Sequence, residues 1–586
     1  MKPTTVWGVI KRSLHEQRLL LAALVAVIAA ATALESVPAF ILKKVVDDHI
    51  ARGAAQGIWA LAVFYFLALV AQRAVGFGQD YLTTVIGQGI LHDLRLALTS
   101  HLRALGLSYY DSTPVGEIMS RSTADVEAVN TLFTSGVVSM IADSCKLLGV
   151  IGPMFALSAH LAWVTLAVAP VIAIVTELFR RNIRAAQRWT RKAVGLINST
   201  FEESLSGIKV VRAYGQERAF RRLLGDNLRQ YLVAANRASL FNSYFTPAMD
   251  ILRGMLTAAL VYVGVILAGG TAASGLTTGT LVAFLTQMVP RLFNPLTSLS
   301  DELQTIQEAL AGTERINEVL LQPPEERPSW LPLPATTPGR VVISGLSFGY
   351  NAPRAVLRDI NLEVPPGQRL AIVGRTGAGK TSLLSLIAGV YAPWEGSIAI
   401  DGIDPRRVRP EERRRLLGVV PQTVHLIDGT IRENITLGDR TIGDDDIVRV
   451  ARIVGLDDYI RTLPAGYDTL LGPGGTKLSH GQEQLLSLAR ALVCDPAVLL
   501  LDEPTSGLDA DTEGRLFAAI REESSKRTTI TISHRMSGVM DAERVVVMAG
   551  GRIVQDGSPA ELAREDGWYA MMRALESLGW ASEASS

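Results

Sequence analysis

The 586-residue sequence contains very little cysteine, and the two that occur, Cys145 and Cys494, lie in neither a CxxC pattern nor a metal-ligand spacing. With so few thiols, we expect no disulfide framework and no zinc site. Net charge is also absent, because 57 Lys and Arg residues balance 57 Asp and Glu residues. Nucleic acid is therefore not a predicted partner, since its recognition needs a concentrated basic surface.

Apolar residues, in contrast, make up 48% of the chain, while charged residues make up only 19%. They form six runs of about 20 residues, which is the length that crosses a bilayer. The first run exceeds the apolar core of a signal peptide and lacks a cleavage-site pattern, so we interpret it as a membrane helix. The runs are 19–42, 58–78, 126–155, 161–179, 245–267 and 278–299.

The connections between these runs alternate between short and long. The long connections follow the second and fourth runs, continue with helical periodicity, and carry basic residues such as Arg180, Arg184 and Lys192. Basic loops stay on the cytoplasmic side, so we expect the long connections and both termini there. The pattern predicts a multi-pass protein of a bacterial inner or cell membrane, with helical stalks that extend into the cytoplasm.

Six prolines crowd residues 322–340, and this density prevents a packed helix or a central strand. Beyond them, short β-type runs such as 341–343 and 498–501 alternate with helical segments, a pattern typical of an α/β domain. The predicted organisation is a transmembrane domain over 1–321, a proline-rich linker over 322–340 and an α/β domain over 341–586.

Residues 374–382 match the phosphate-binding pattern GxxxxGK[ST], follow the apolar run 370–373 and open a helix-like stretch. Glycines let backbone N–H groups turn towards phosphates, and a helix N-terminus adds favourable partial positive charge. Lys380 is expected to reach the β- and γ-phosphates of ATP, and Thr381 to bind Mg²⁺. The predicted ATP-binding residues of this loop are Gly374, Arg375, Thr376, Gly377, Ala378, Gly379, Lys380, Thr381 and Ser382.

Two adjacent carboxylates, Asp502 and Glu503, end the apolar strand 498–501. Mg²⁺ prefers one or two carboxylates together with phosphate oxygens and water, so the pair suits a Mg²⁺–ATP site. With the phosphate loop and the six apolar runs, this order of motifs resembles the ABC exporter family. The resemblance implies a half-transporter with a membrane all-α six-helix domain, long cytoplasmic stalks and an α/β P-loop nucleotide-binding domain.

The same resemblance implies roles for the residues around the phosphates. Asp502 would help to hold Mg²⁺ together with Thr381 and Gln422, and Glu503 would polarise the water that attacks ATP. An alternative interpretation of the two carboxylates is a helix-capping pair after a buried strand.

Three further residues match family motifs outside the phosphate loop. His534 resembles the switch histidine that contacts the γ-phosphate, although a histidine after a strand also serves as a structural hydrogen-bonding residue. Tyr350 resembles the aromatic residue that stacks on adenine, with core packing as the alternative role. Asp509 resembles a residue of the loop that crosses the dimer interface.

The family's signature LSGGQ is replaced here by LSHGQ at residues 478–482. Ser479, Gly481 and Gln482 are retained, and they are expected to open a helix whose N-terminus faces ATP bound by the partner chain. His480 replaces a glycine, which costs free energy if the backbone needs a positive φ there. The segment 484–490 that follows also resembles that of asymmetric exporters. The resemblance therefore favours a heterodimer, in which this chain is the catalytically intact half of a multidrug-type exporter, and a homodimer stays open.

Segments 109–117 and 208–217 resemble the family's coupling helices, at the tips of the two stalks. Each alone is an ordinary amphipathic turn, and their placement favours the functional interpretation. In the first segment, Thr113 is the predicted N-cap and Pro114 the predicted first helical residue.

Charged residues inside the apolar runs are costly and usually face a bundle interior or an aqueous cavity. Two pairs lie three residues apart and therefore share a helix face. They line a substrate cavity in one interpretation and neutralise each other structurally in the other. The pairs are Asp143 with Lys146 and Asp250 with Arg253, and Glu35 and Glu177 are weaker candidates.

The implied function is an ATP-hydrolysing exporter or floppase that works by alternating access as a dimer of half-transporters. Two alternatives stay open: an importer with the same fold, for example of a siderophore, and an ATP-gated channel. Membrane lipid is an expected contact, and the substrate can be a small molecule, a lipid or a peptide.

Overall fold

The computed structural model describes residues 5–577, with gaps at 54–55, 270–275, 326–328, 335, 352, 473, 506–507, 509, 534–538 and 540. The chain divides into two compact units. The helical unit comprises Met1–Leu105 and Thr113–Pro324, and the α/β unit comprises Gly106–Ser112 and Glu325–Ser586. Residues 106–112 therefore belong with the α/β unit, although both flanking segments belong to the helical unit.

Long helices dominate the helical unit, because a chain in hydrocarbon must satisfy every backbone hydrogen bond within the segment itself. Three of them contain 47, 48 and 53 residues, so each is about 70 to 80 Å long and extends well beyond a bilayer core. The predicted helical stalks are therefore confirmed. The helices are α1 (Val6–Glu16), α2 (Arg18–Lys44), α3 (Ile58–Ala104), α5 (Val115–Ser120), α6 (Val126–Thr131), α7 (Val138–Leu157), α8 (Ala159–Ser206), α9 (Ile208–Ala213), α10 (Glu217–Gly269), α11 (Thr278–Ala283) and α12 (Val289–Leu320). Segments of π-helix occur at Val45–Ile50, Arg121–Asp125, Leu132–Val137 and Phe284–Met288.

Among the described residues, five helical stretches are long and apolar enough to cross a membrane. They contain the first four predicted runs and all but the last residue of the fifth. The sixth run, 278–299, is also helical, but Gln287, Arg291 and Asn294 lower its apolar content, and it does not meet the same criterion.

The core of the helical unit lies where α7, α8, α10 and the 278–299 stretch pack together. Large side chains such as Leu161, Ile172, Leu256, Phe284 and Met288 are at most 2% exposed there. In lipid these side chains are not removed from water, so they stabilise the bundle through close van der Waals packing.

The α/β unit is built on a six-stranded sheet of order β11-β10-β3-β9-β8-β5, in which only the β11 edge strand is antiparallel to its neighbour. Apolar side chains cover both faces, because the residues of β8 alternate between two separate cores. A three-stranded antiparallel sheet of order β2-β1-β4 and the β6-β7 pair complete the strands. The strands are β1 (Val341–Phe348), β2 (Leu357–Val364), β3 (Arg369–Gly374), β4 (Glu395–Ile400), β5 (Leu417–Val420), β6 (Gly429–Thr430), β7 (Leu470–Leu471), β8 (Val498–Asp502), β9 (Thr528–Ile532), β10 (Arg544–Ala549) and β11 (Arg552–Gly557). The helices are α4 (Leu107–Ser112), α13 (Lys380–Ile387), α14 (Pro410–Leu416), α15 (Ile431–Thr436), α16 (Asp444–Ile453), α17 (Asp457–Thr462), α18 (His480–Leu492), α19 (Ala510–Ser524), α20 (Pro559–Leu562) and α21 (Trp568–Ser577), with 3-10 turns at Pro405–Arg407 and Gly466–Asp468.

Both predicted coupling segments contain short helices. In the first segment, the predicted cap was wrong, because helix α5 begins at Val115 and Pro114 occupies its N-cap position. No side chain caps the start of this helix. Thr113 therefore lies outside the helix, since the fixed φ of Pro114 is combined with an extended ψ of 138°. In the second segment, the Tyr214 side chain that follows α9 is 76% exposed.

Candidate nucleotide site

The phosphate loop lies between β3 and α13, so the predicted strand, loop and helix are all present. Gly379 has a φ of 97° directly before the helix, a left-handed conformation that favours glycine. A Cβ atom on Gly379 would also lie 2.6 Å from Leu357 Cδ2, so a larger residue does not fit. The loop exposes Arg375, Thr376 and Gly377 to solvent and buries Gly374, Ala378 and Gly379.

Lys380 is only 5% exposed, and its ammonium group is held by the loop itself. Its Nζ donates to the carbonyl oxygens of Gly374 at 2.9 Å and Arg375 at 3.2 Å. Burial lowers the pKa of Lys380, and the negative charges of Glu503 and Asp502 oppose this shift. The ammonium group thus lies between the loop and the acidic end of β8.

Asp502 ends β8 and is 4% exposed. Its Oδ1 accepts a hydrogen bond from Thr381 Oγ1 over 3.4 Å, which joins the acidic strand end to the first turn of α13. Burial raises the pKa of Asp502, while the Thr381 hydrogen bond opposes the shift. A buried carboxylate beside a hydroxyl is a donor set that Mg²⁺ accepts.

Glu503 follows β8 in a left-handed backbone conformation with a φ of 46°, which is uncommon for a residue with a side chain. Its backbone N–H donates to the carbonyl oxygen of Ile532 at 3.1 Å, so the conformation is held by the neighbouring strand. Gln422 Nε2 donates to Glu503 Oε2 at 2.9 Å. The structure therefore brings Gln422, which is far away in sequence, to the acidic pair.

Gln484 is a residue of this site that the sequence analysis missed. It is fully buried in α18, and its Nε2 donates to the backbone carbonyl oxygen of Gln422 at 3.1 Å. Its Oε1 is also buried, and no hydrogen-bond partner occurs for it in the described part of the chain. The signal in the sequence was a polar amide that interrupts the apolar face of the helix after LSHGQ.

Tyr350 lies at the edge of an aromatic cluster rather than inside a core. Tyr350 is 42% exposed, and its ring packs edge-on against Phe348 and Tyr391 at centroid distances of 5.2 and 5.5 Å. Its hydroxyl is 2.9 Å from Ser382 Oγ in α13. The partly exposed ring is therefore positioned beside the phosphate loop.

The signature segment begins α18 with a capping box. Ser479 Oγ accepts from the Gln482 backbone N–H at 3.3 Å, and Gln482 Oε1 accepts from the Ser479 backbone N–H at 2.9 Å. A Cβ atom on Gly481 would lie 2.6 Å from Thr512 Cγ2, so this glycine allows α18 to approach α19.

The expected backbone strain at His480 is absent from the structure. It is the first residue of α18 and is absent from the residues with positive φ, so the predicted cost of replacing glycine does not arise. Its side chain is 50% exposed, and Nδ1 lies 3.7 Å from Glu483 Oε2. Two other predicted residues, His534 and Asp509, lie outside the described residues.

Comparison with known proteins assigns the family. The ABC transporter transmembrane region matches residues 19–296, and the ABC transporter family matches residues 357–506. A lipid A-core flippase of Albidiferax ferrireducens is 32% identical over 538 residues, which cover 92% of each chain. The chain belongs to the ABC exporter family.

Two further relatives agree with this assignment. The fatty acid ABC transporter ATP-binding/permease protein of Mycobacterium tuberculosis is 34% identical over 88% of this chain and 80% of its own length. A solved structure of a bacterial Atm1-family ABC exporter with ATP bound has a TM-score of 0.76 and 28% identity, and the match covers 96% of this chain and 98% of that chain. This exporter is a half-transporter and an ATP-hydrolysing, multi-pass membrane protein with a cytoplasmic nucleotide-binding domain.

The charged residues in the exporter's membrane helices do not behave alike. Asp143 and Lys146 form an ion pair of 3.1 Å, and Asp143 also accepts a hydrogen bond from Ser298 Oγ. Among the described residues, Asp250 and Arg253 do not form the neutralising pair that is one of their two interpretations: Asp250 is exposed, and the Arg253 guanidinium lies 5.7 Å from the centre of the Phe293 ring. The attraction of that ring for a cation accounts for the different partner.

Glu35 and Glu177, the two weaker candidates for a substrate cavity, also lie near charged partners. The carboxylate of Glu35 lies within electrostatic range of Lys146 and Arg291. Glu177 accepts from Arg181 Nε at 3.1 Å and lies within 3.5 Å of two more guanidinium groups. Glu177 therefore neutralises basic residues at the start of a stalk.

Proposed function

We propose that this ABC exporter works by alternating access as a dimer, with ATP bound between the phosphate loop of one chain and the signature helix of the other. The observation that carries the proposal is the convergence of Lys380, Thr381, Asp502, Gln422 and Glu503 at one edge of the parallel sheet. Side chains at the carboxyl ends of parallel strands are where open α/β sheets bind ligands. Closure of two such sites on ATP would drive the membrane helices apart on the outer side.

The chain's own residues supply the positions for ATP and Mg²⁺. Thr381, Asp502 and Gln422 would hold the ion, which neutralises negative charge on the phosphates during hydrolysis. Lys380 would exchange its two carbonyl partners for phosphate oxygens. Glu503 would accept a hydrogen bond from the attacking water, with Gln422 orienting its carboxylate.

We infer that the substrate is an amphiphile with a charged head group, moved outward. Two relatives are named for lipid A-core and fatty acid transport, respectively. The exposed Asp250 and the neighbouring Arg253 would provide polar contacts on the fifth span, and the Arg253 guanidinium, 5.7 Å from the centre of the Phe293 ring, would bind an anionic group. Small molecules and peptides with similar character belong to the same proposal.

The identity of the second chain stays a prediction. His480 has an ordinary helical backbone, so backbone strain at this residue does not support a heterodimer over a homodimer. The composition is measured by purifying this chain alone and counting the ATP retained per complex. Two hydrolytically active sites in a complex of identical chains would contradict the heterodimer, and an inactive monomer would support it.

The hydrolysis site is tested with Glu503→Gln in the full chain reconstituted in lipid nanodiscs. Binding of ATP should remain, while single-turnover hydrolysis falls about a hundredfold or more, because the water loses its acceptor. Glu543→Gln is the control, since Glu543 pairs at the surface with Arg369 at 3.1 Å. Unchanged hydrolysis in Glu503→Gln would remove this residue from the proposal.

A further inference from the structure

A cleft lies between helix α19 and one face of the parallel sheet in the α/β unit. It encloses about 480 Å³ outside the protein atoms, part of it open to solvent. Its described lining contains none of the residues assigned to the nucleotide site. Arg369, which lines the cleft, begins β3, and Gly374 of the phosphate loop ends it, so their Cα atoms are about 16 Å apart. The cleft is therefore separate from the position of the phosphates.

The floor of the cleft is a polar patch on an otherwise apolar face of the sheet. Strand β9 lies between β3 and β8, and its residues Thr529 and Thr531 pair with Arg369 and Ala371 of β3. Successive residues of a strand alternate between the two faces, so these four side chains share one face. The intervening Ile530 points to the opposite face, where it belongs to a buried core. The patch therefore lies between the two apolar clusters that cover β8 and β10 on its own face.

Two atoms of this patch are buried without a hydrogen-bond partner among the described residues. Thr529 is 2% exposed, and its Oγ1 accepts and donates no hydrogen bond there. The Nε of Arg369 is also buried without a partner, while Nη2 of the same side chain lies 3.1 Å from the exposed Glu543. Buried polar groups without a partner are costly, so a bound group that pairs with both atoms is stabilised. Both atoms can donate, and the group that binds them must therefore supply acceptor oxygens.

The charges and the walls of the cleft define the ligand further. The charged residues of its described lining are Arg369, Arg521 and Asp541. Arg521 and Asp541 lie 2.8 Å apart and neutralise each other, so the lining keeps the one positive charge of Arg369. This charge favours a ligand with one negative charge. The half-buried side chains of Phe517 and Ile520 form an apolar wall on α19, and such a wall favours a ligand with an apolar body.

We propose that the cleft binds a small monocarboxylate with an apolar body. The carboxylate accepts hydrogen bonds from Arg369 Nε and from the Thr529 hydroxyl, and the apolar body lies against Phe517 and Ile520. Hydrogen bonds between a charged donor and a carboxylate are about twice as strong as neutral ones, so Arg369 contributes most to the affinity. The site goes beyond ATP hydrolysis and transport, because its lining shares no residue with the nucleotide site.

The test uses the full chain in lipid nanodiscs with Mg²⁺ and the non-hydrolysable analogue AMP-PNP, which occupies the phosphate loop. Benzoate is the probe, because it combines one carboxylate with an apolar ring. Acetate, which lacks the apolar body, and benzyl alcohol, which lacks the charge, are the comparison compounds. Binding is titrated by hydrogen exchange in peptides that cover 367–371 and 527–531, so the signal comes from the cleft and not from the membrane helices.

Benzoate should protect both peptides saturably, with a Kd of about 1 mM or lower. Acetate and benzyl alcohol should each bind about tenfold more weakly or worse, since each lacks one of the two contributions. Thr529→Val keeps the branched shape without the hydroxyl, and Arg369→Gln removes the charge and Nε. Each variant should weaken benzoate binding about tenfold, because each removes a hydrogen bond to a carboxylate.

Two matched controls remove the same kinds of group elsewhere in the α/β unit. Arg340→Gln removes an arginine that pairs with Glu363, and Thr441→Val removes a hydroxyl that donates to Asp439 at 2.7 Å. Neither residue lines the cleft, so both controls should bind benzoate normally. Unchanged AMP-PNP affinity shows that a variant is folded, and a folded Thr529→Val alone is sufficient for the test.

The absence of saturable protection by benzoate at ten times the expected Kd would overturn the site and leave water as the partner of the two buried atoms. Normal benzoate affinity in folded Thr529→Val and Arg369→Gln would overturn the assigned contacts. Binding of acetate or benzyl alcohol as tight as that of benzoate would overturn the assigned ligand class.

Discussion

The α/β unit and the helical unit hold their charged side chains in different ways. In the α/β unit, Lys380 is bound by two backbone carbonyl oxygens of its own loop, and Asp502 is buried beside a hydroxyl, with no cationic hydrogen-bond partner among the residues that the structure describes. In the helical unit, Asp143 has both an ion-pair partner in Lys146 and a hydrogen-bond donor in Ser298. The first arrangement leaves strong charges for a ligand to complete, whereas the second is complete within the protein.

This difference separates a binding site from a structural pair. Buried charges need opposite charges or several hydrogen bonds, because desolvation costs several kcal/mol per ion. An ionic ligand such as Mg²⁺–ATP would satisfy the groups around Lys380. The pair at Asp143 is explained by neutralisation within the bundle.

The largest effect is expected when the nucleotide site loses the positive charge of Lys380. Lys380→Ala should reduce ATP turnover by about a hundredfold or more, because charge on the transferred phosphate is no longer stabilised. Turnover is measured in nanodiscs at saturating Mg²⁺–ATP. Arg340→Ala is the control, since Arg340 forms an exposed pair with Glu363. Near-normal turnover in Lys380→Ala would show that the buried ammonium group is only structural.

Local sequence rules were sufficient for much of the α/β unit. Gly379 could be predicted because the start of α13 requires a left-handed residue, and Asp502 because an apolar strand ends there. The contact of Gln484 with Gln422 could not, since it depends on how α18 packs over a loop 62 residues earlier in the sequence. The ordinary backbone of His480 was missed for a similar reason, because the capping box at Ser479 places the helix start directly before it.

In the helical unit, the sequence predicted where the membrane helices lie, but not which neighbouring helix each helix face contacts. Apolar length identifies helices, and spacing of three places Asp143 with Lys146 on one face. The same spacing does not bring Asp250 and Arg253 into an ion pair, because a ring from another helix competes for the guanidinium group. The partner of a membrane charge is therefore set by tertiary packing, which periodicity does not contain.

The intramembrane pair offers the next test of the comparison. Asp143→Asn should destabilise the helical unit by about 3 kcal/mol, since Lys146 loses its ion-pair partner and keeps only the weaker attraction of Glu35. Replacing both residues by leucine should restore most of this free energy of unfolding. Denaturant titration in detergent provides the measurement. Glu16→Gln is the control, because Glu16 pairs with Arg12 at the surface, where such pairs contribute about 0.5 kcal/mol.

A specific outcome would break the distinction between the two units. If the double leucine variant is as stable as the unmodified chain but no longer moves a lipid probe in proteoliposomes, Asp143 and Lys146 contact the substrate. Retained movement of the probe would confirm that the pair is structural.

The smallest effect is expected at Gln484, a buried residue of the α/β unit. Its amide nitrogen has a hydrogen-bond partner, and its amide oxygen has none in the described part of the chain. Gln484→Met keeps the volume of the side chain, removes its hydrogen bond to the Gln422 carbonyl oxygen and also removes the buried Oε1 that has no partner in the described part of the chain. These changes oppose each other, so stability should fall by about 1 kcal/mol or less. Gln422 would lose its anchor on α18 and orient Glu503 less well, so kcat should fall several-fold while KM for ATP stays the same. A loss of stability with unchanged kcat would show that Gln484 only packs the helix.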